Sequence, residues 1–248
     1  MKLGSARRES ASVDEENPYW ISFSDIMAGL LVVFILASLV LILELLETRN
    51  LVKQNIESLK DAVEARNDIM VEIQQELKEK NILVELSDNK EVLHIPEDAL
   101  SFEVNKSRIP PSPKVEETVY EIGKILYERI TFENRNEKYL DTIFVEGHTD
   151  SKPTNRKGGN WRLSTDRAIS IWRFWLDRLP EDMRLEALKN HSSERLFSVS
   201  GYSATRRLVE VEEGDSDYRK NRRIDIRITV KAPTISILES TIQPVGGT

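Results

Sequence analysis

One acidic residue, Asp25, lies near the start of an otherwise apolar stretch, "YWISFSDIMAGLLVVFILASLVLIL" at residues 19–43. A carboxylate in hydrocarbon is costly, so an acid inside a membrane segment is by default a candidate functional group. One helical turn away lie Ser22, Ala28 and Gly29, which would let another helix approach and would give the acid a hydroxyl partner. Shielding from water favours the neutral form of a carboxyl group, so such an acid can capture and release a cation. The sequence therefore predicts an ion relay at Asp25, supported by Ser22.

A capping role for Asp25 is the alternative. The residue would lie about 7 Å of helix rise beyond Trp20, in the first third of the apolar stretch. Aspartate near the start of a helix also complements the positive end of the helix dipole, which needs no ion. The depth, the small-residue face and the lack of any charge in residues 26–43 favour the relay.

The apolar stretch is long enough to cross a bilayer. Residues 21–43 would form about 34 Å of helix, against a hydrocarbon core of roughly 30 Å. Tyr19 and Trp20 stand at its start, where aromatic rings favour the membrane interface. A signal peptide is the competing interpretation, but the stretch is too long and no small-x-small cleavage site follows it. The sequence predicts an uncleaved single-pass helix at 19–45; flanking positive charges are nearly balanced and leave its orientation open.

Composition narrows the classes of function. The chain has 248 residues, a formal net charge of −7 and no cysteine. Direct nucleic-acid binding is not expected, because general nucleic-acid binders are usually basic. Thiol chemistry is excluded, and His94, His148 and His191 lack the spacing of a metal site. With no phosphate-binding loop or nucleophile motif either, the sequence predicts no metal, no cofactor and no enzyme.

Apolar residues continue after the membrane segment in a heptad pattern. Eight positions alternate by four and three residues, and all but Arg66 are apolar: Val52, Ile56, Leu59, Val63, Arg66, Met70, Ile73 and Leu77. The pattern predicts a helical linker at 46–81 that forms a parallel coiled coil in a homodimer. An amphipathic helix folded against its own domain would show the same pattern, and the sequence does not separate the two.

From residue 82 the pattern changes to strands alternating with helices. "ILVEL" and "EVLHI" flank a tight turn, and "LDTIFVEG", "RLFSVSGY" and "RRIDIRITV" read as further strands. Ser112 and Pro113 open one helix, with proline at its first position, and Asn160 is placed to cap another. These elements predict an α/β sandwich of helices packed on one mixed sheet.

Several motifs in this region occur together in the order found in one family. "SFEVNKSRIPP", "VEGHTDSKP", "NWRLSTDRAISIWRFW", "GYS" and "NRRIDIRI" resemble the OmpA-like, MotB C-terminal type of peptidoglycan-binding domain. The resemblance covers roughly residues 82–230. One departure is the loop "SKPTNRKGGN", which is longer than usual and basic.

The resemblance implies a binding site for the peptidoglycan stem peptide. Asp150 and Arg167 would hold the zwitterionic end of diaminopimelate, because a carboxylate suits its ammonium and a guanidinium fork suits its carboxylate. By the same resemblance Asn105, Thr149 and Leu163 are secondary lining candidates, whereas Arg222 and Arg223 are expected to be structural. An ordinary pairing of Asp150 with Arg167 is the alternative.

The membrane segment carries a second resemblance. "PYWISFSDIMAGLLVVF" is similar to the signature of B subunits of ion-driven stator motors, and its detailed form is most similar to the ZorB family of Zorya anti-phage defence systems. That resemblance implies a ring of multi-spanning MotA/ZorA-like A subunits as partner, a translocated proton or sodium ion, and a stationary wall anchor. Flagellar MotB-type subunits, passive OmpA-type tethers and energisers of outer-membrane transport are the alternatives.

These resemblances complete the predicted organisation. The chain would lie in the bacterial inner membrane with a cytoplasmic N-terminus and a periplasmic C-terminal domain, since the wall lies outside that membrane. The predicted segments are a cytoplasmic tail at 1–18, a membrane helix at 19–45, a helical linker at 46–81, an OmpA-like domain at 82–232 and a flexible tail at 233–248.

Overall fold

The computed structural model of the chain describes residues 18–232. Residues 1–17 of the predicted N-terminal tail, and the whole predicted C-terminal tail at 233–248, lie outside the described residues. Within the described part, the chain divides into two compact units between Lys53 and Gln54. The first unit holds the apolar segment, and the second holds the remainder of the described residues.

The first helix, α1, runs from Pro18 to Glu79 without interruption. The predicted membrane helix and the predicted linker are therefore one helix. In the described part of the chain, α1 is the one helix that is long and apolar enough to cross a membrane, judged by length and composition. Nearly every side chain of its apolar part is exposed, as expected for a surface that lipid would cover.

Five strands form one mixed sheet, as predicted. They are β1 (Glu85–Leu86), β2 (Val92–Pro96), β3 (Leu140–Gly147), β4 (Phe197–Gly201) and β5 (Arg223–Val230). Their spatial order is β1-β2-β5-β3-β4. β3 and β4 are parallel, and the other neighbours are antiparallel. The predicted first strand is shorter than "ILVEL", with only two of those residues in the ladder.

The other helices are α2 (Pro113–Thr131), α3 (Arg135–Tyr139), α4 (Gly159–Arg178) and α5 (Asp215–Asn221), with short 3-10 turns at Phe132–Asn134, Glu181–Met183 and Leu185–Ala187. Ser112 and Pro113 open α2 as predicted. Asn160 does not cap α4, because Gly158 with a φ of 92° occupies that position. Instead the Asn160 amide donates to the Lys152 carbonyl at 2.9 Å and holds the preceding loop.

One face of the sheet forms the hydrophobic core. Ile143 lies opposite Ile228, and Val145 opposite Ile226, so four buried side chains from the central strands point the same way. Helices α2 and α4 pack on this face, and the Trp175 indole donates to the Val119 carbonyl at 2.7 Å. The sheet is thus covered by helices in the predicted α/β arrangement.

The C-terminal part of α1 is built into this core. Ile69, Met70, Ile73 and Leu77 are fully buried there. This corrects two predictions. The folded unit begins before residue 82, and over this stretch the predicted dimer seam is occupied by the chain's own domain. Val52 and Ile56 are 50% and 62% exposed, so a seam between two copies stays a prediction for the first heptads only.

Ion pairs fix α1 on the domain at the point where the heptad pattern breaks. Arg66 is buried, and its guanidinium lies 2.8 Å from a Glu91 oxygen in the turn between β1 and β2. Farther along, Glu72 pairs with Arg135 and Glu76 with Arg129, each at 2.8 Å. The one charged residue in the heptad pattern therefore marks where the helix docks on its own domain.

We expect Ile73→Ala to lower the free energy of unfolding of the second unit by about 2–5 kcal/mol, because it leaves a cavity in the core. Val71→Ala is the control, since Val71 lies on the same helix outside the heptad pattern and is 38% exposed, so its truncation opens no such cavity. Urea unfolding of the full chain in detergent, followed by near-UV circular dichroism, measures both. Equal losses for the two variants would contradict the docked arrangement.

Candidate functional site

Three strand ends meet at one edge of the sheet. Pro96 at the end of β2 lies opposite Arg223, and Gly147 at the end of β3 lies opposite Ile224. The residues just beyond these ends must therefore be neighbours: Glu97, the loop 148–150, and Arg222 just before β5. Strand ends are rigid, so they hold polar side chains more firmly than a free loop would.

Two glycines bring the start of α4 onto this edge. Gly147 and Gly201 are paired in the parallel ladder. A Cβ on Gly147 would lie 2.0 Å from the Ser164 carbonyl oxygen, and one on Gly201 would lie 2.4 Å from the Thr165 nitrogen. Only glycine permits so close an approach of helix and strand. The glycine of the His-Thr-Asp motif thus places α4 beside the loop that carries Asp150.

A cavity of about 380 Å³ lies where these elements converge. All five residues predicted for the binding site line it: Asn105, Thr149, Asp150, Leu163 and Arg167. The Asp150 and Arg167 side chains belong to residues that are only 7% and 5% exposed. The structure therefore brings the predicted residues together from three separate parts of the chain.

Arg167 is a buried cation without a direct counterion among residues 18–232. Its Nε donates to the Lys106 carbonyl at 3.1 Å, and its guanidinium lies 5.0 Å from the centre of the Phe102 ring. No carboxylate of the described residues lies within 4.0 Å of it. Burial lowers the pKa of Arg167 to about 10; attraction from Glu97 and Asp150 raises it, and repulsion by Arg222 lowers it. Arg167 is still charged at neutral pH, so an incoming carboxylate would supply the missing partner.

Asp150 pairs with Arg222, not with Arg167. Its Oδ2 accepts from Arg222 Nη1 at 2.5 Å, and its Oδ1 accepts from the Lys152 amide at 3.2 Å. The alternative in which Asp150 and Arg167 neutralise one another is therefore not what the structure shows. Arg222, expected to be structural only, lines the cavity and contacts a predicted binding residue.

Glu97 is a site residue that sequence reasoning missed. It lines the cavity and accepts from Arg222 Nε at 2.8 Å and from Nη2 at 2.6 Å. Burial by itself lowers the pKa of Arg222, but hydrogen bonds to Glu97 and Asp150 outweigh it and raise the pKa above its ordinary value. Phe102, below the Arg167 guanidinium, was indicated only as part of a motif. Neither role has a local sequence signal. Glu97 reaches Arg222 only through pairing of strands across the sheet, and Phe102 reaches Arg167 only because its loop passes over α4.

Thr149 offers an unused polar atom at the cavity wall. Its Oγ1 is buried and has no hydrogen-bond partner among the described residues. Buried hydroxyls are normally hydrogen-bonded, so an unpaired one beside a cavity favours a ligand-binding role. Asn105, which lines the same cavity, has a left-handed φ of 61°.

A wider groove of about 800 Å³ follows the outer face of α4, and several of its charges are paired with one another. Asp166 pairs with Arg156 at 2.7 Å and with Arg162 at 3.3 Å. Glu116 lies 3.7 Å from Arg178. The smaller cavity is the better candidate site, because it holds the buried cation that lacks a carboxylate partner.

A buried polar cluster lies behind the Asp150 loop, on the face of the sheet opposite the core. Possible ligand atoms of Glu146, His148 and Asp225 lie within 4.8 Å of one another, an arrangement that the histidine spacing did not predict. Metal chemistry fits poorly here, because Arg223 and Arg227 each approach one of the carboxylates at 2.9 Å. Two guanidiniums already balance the two carboxylates and would repel a dication. The cluster therefore supports the loop as an internal charge network.

This network makes the stability of the domain acid-sensitive. Burial alone would raise the pKa of Asp225, but His148, His94 and Arg223 outweigh it and hold the pKa well below its ordinary value. An acid with a lowered folded-state pKa adds stability above its unfolded value of about 3.9, and that stability is lost as the pH falls further.

We expect Asp225→Asn to lower the free energy of unfolding at pH 7 by about 3–5 kcal/mol, because it leaves buried cations unpaired. The same variant should lose less stability than the wild type between pH 4 and pH 2. Asp215→Asn, an exposed acid, serves as control. Urea midpoints across this pH range measure the effect. If Asp225→Asn lost as much stability between pH 4 and pH 2 as the wild type, the result would contradict this role of Asp225.

Asp25 and Ser22 lie one turn apart on α1, and both are exposed. They belong to the first compact unit, whereas the cavity belongs to the second. The relay role of Asp25 stays a prediction.

The segment that carries most of the cavity residues matches a known family. Residues 101–222 match the OmpA family. The matched segment contains Asn105, Thr149, Asp150, Leu163 and Arg167, and ends at Arg222. The second unit therefore contains an OmpA-like domain, as the motifs predicted. Glu97 precedes the matched segment of this OmpA-like domain.

Solved structures similar to the chain share low sequence identity with it. A MotB-like protein from Desulfovibrio vulgaris is 15% identical, with a TM-score of 0.49, over 70% of this chain and 99% of that one. The periplasmic domain of Helicobacter pylori MotB is 20% identical, with a TM-score of 0.46, over 65% and 92%. The cell wall anchor of the type VI secretion system from Pseudomonas aeruginosa is 18% identical, with a TM-score of 0.43, over 64% and 94%. No curated protein matches the chain.

Proposed function

We propose that this chain is the wall-anchored B subunit of an inner-membrane motor driven by protons or sodium ions, of the Zorya anti-phage type. Its OmpA-like domain binds peptidoglycan in the periplasm. Its membrane helix relays the ion at Asp25, beside a ring of multi-spanning MotA/ZorA-like subunits, and two copies form a homodimer. Ion flow without a fixed anchor would turn the whole complex, so a motor of this kind needs both parts.

The observation that carries the wall-binding half is the charge arrangement of the cavity. Arg167 is buried with no carboxylate partner in the part of the chain that the structure describes, and Asp150 is held at the cavity wall by Arg222. The end of a diaminopimelate side chain carries one carboxylate and one ammonium. The guanidinium fork receives the first in two parallel hydrogen bonds, and Asp150 receives the second. Leu163 and Phe102 border the same cavity and suit the aliphatic part of the ligand.

The motor half is supported by the sequence of α1. Asp25 is the only acid in residues 19–43, and its neighbours Ser22, Ala28 and Gly29 are small. A small-residue face permits close packing of helices in a membrane, which would shield the carboxylate from lipid and water. A capping role would need no ion, but α1 begins at Pro18, so Asp25 lies beyond the first turn, where an acid would complement the helix dipole. Resemblance of the signature to ZorB proteins supports defence over motility.

Wall binding is tested by co-sedimentation of the full-length chain, in detergent, with purified peptidoglycan sacculi. We expect the chain to sediment with the sacculi, and free meso-diaminopimelate to compete. Nα-acetyl-L-lysine amide should compete far less, because it has an ammonium but no carboxylate and leaves Arg167 unpaired. Competition by both compounds alike, or no sedimentation, would refute the proposed pocket.

The motor assignment is tested in cells that express the chain from its own locus with its neighbouring genes. Loss of phage resistance on deletion, with normal swimming, supports the Zorya type. Loss of swimming with unchanged phage plating would identify the flagellar alternative. No change in either assay would favour the passive tether.

A further inference from the structure

Arg222 sits between two carboxylates at the cavity edge. Glu97 accepts from its Nε and Nη2, whereas Asp150 accepts from Nη1. The three side chains are largely buried, with exposed fractions of 18% for Glu97, 19% for Arg222 and 10% for Asp150. The strand register fixes this order, because Glu97 directly follows β2 and Arg222 directly precedes β5. Two of the three guanidinium nitrogens of Arg222 therefore donate to Glu97, and one donates to Asp150.

This division matters for a zwitterionic ligand. Asp150 has to attract the ligand ammonium while Arg222 already occupies one of its oxygens. If Arg222 were free to donate from both Nη groups to Asp150, the pair would be bidentate. The carboxylate oxygens of Asp150 would then have few acceptor sites left for the ligand ammonium. With Glu97 present, the two acids Glu97 and Asp150 balance the two cations Arg222 and Arg167, so a ligand without net charge fits without an uncompensated charge.

We propose that Glu97 is a positioning residue of the cavity, which acts through Arg222 to keep Asp150 available to the ammonium of the ligand. The inference rests on the proposed binding of diaminopimelate. Glu97 lies outside the segment that matches the OmpA family, so the match assigns it no role. In its absence Arg222 adds a positive charge beside Asp150 and repels the ammonium, while the carboxylate subsite at Arg167 is left intact.

The experiment compares two ligands with the full-length chain in detergent. meso-Diaminopimelate carries carboxylates and ammoniums, whereas pimelate carries only the carboxylates. We expect Glu97→Gln to weaken binding of meso-diaminopimelate by about tenfold or more, and not to weaken binding of pimelate. A merely structural role would weaken both, so the ratio of the two affinities isolates the positioning effect.

Asp98→Asn is the matched control. It removes an acid from the neighbouring position, where Asp98 forms an exposed ion pair with Arg219 at 3.0 Å. We expect this variant to bind both ligands as the wild type does. An Arg222→Gln variant, alone and combined with Glu97→Gln, completes the set. Because Glu97 acts through Arg222, the double variant should bind no more weakly than Arg222→Gln alone.

Three results would overturn the inference. Glu97→Gln and Asp98→Asn could bind meso-diaminopimelate with equal affinity, or Glu97→Gln could lose affinity equally for meso-diaminopimelate and pimelate. The third is a double variant that binds meso-diaminopimelate clearly more weakly than Arg222→Gln does. In each of these the wild type still binds, so the proposed wall binding survives. If the wild type itself bound neither meso-diaminopimelate nor sacculi, the proposed function would fail, and the role of Glu97 with it.

Discussion

Replacing Arg167 with glutamine is expected to weaken binding of meso-diaminopimelate by about 100-fold or more while leaving the domain folded. Loss of one partner of a buried, hydrogen-bonded charge pair costs about 2–5 kcal/mol, and about 2.8 kcal/mol corresponds to 100-fold. The effect is large because the other cations that line the cavity among the described residues, Arg222 and Lys152, are engaged elsewhere. Arg222 is held by Glu97 and Asp150, and Lys152 lies 3.8 Å from the centre of the Tyr218 ring.

The same substitution should not lower stability, which distinguishes a binding residue from a structural one. A base whose folded-state pKa lies below its unfolded value disfavours folding wherever it is protonated, and burial lowers the pKa of Arg167 to about 10. Removing the charge removes that cost, so the melting temperature should stay the same or rise. Residues held for function are often unfavourable for stability in this way.

Arg173→Gln is the control for Arg167→Gln. It changes an exposed arginine on the same helix, α4, and should alter neither binding nor melting temperature. Calorimetric titration with meso-diaminopimelate and a thermal melt of each variant give the two measurements. If Arg167→Gln bound the ligand within about threefold of the wild type, the assignment of the carboxylate subsite would be lost.

The cavity could be predicted from the sequence because its residues belong to motifs at strand ends and helix starts. The Gly-His-Thr-Asp loop must follow β3, and Arg167 must lie within the first turns of α4, once the strand and helix are placed. Burial of the Gly147 backbone against Ser164 then leaves little freedom in how the two elements meet. The resemblance of these motifs to the OmpA-like family was therefore enough to group these residues, while their binding role stays a prediction.

The missed features depend on contacts between distant segments. Glu97 meets Arg222 only because β2 pairs with β5, and a heptad pattern looks the same whether it faces a second helix or its own domain. Arg66 was the one hint, since a buried cation in an apolar seam requires a partner such as Glu91. Likewise His148 and Asp225 come together through the pairing of β3 with β5, which histidine spacing cannot indicate.

Asp25→Asn is expected to abolish ion-coupled function completely while leaving membrane insertion and wall binding unchanged. Asparagine has nearly the same size as aspartate, but it cannot take up and release a proton, and as a neutral group it cannot hold a sodium ion by charge. Phage-plating efficiency measures the loss in cells that express the chain with its partner subunits. Membrane fractionation and co-sedimentation with sacculi show whether insertion and anchoring persist.

Glu44→Gln provides the comparison that decides between a relay and a general sensitivity of α1 to lost charge. Glu44 is an exposed acid on the same helix, just beyond the far end of the apolar stretch. A relay at Asp25 predicts full protection in Glu44→Gln and none in Asp25→Asn. Ser22→Ala should give partial protection, because it removes only a supporting hydroxyl. Full protection by Asp25→Asn would mean that no ion passes through this carboxylate, and that the chain works by anchoring alone.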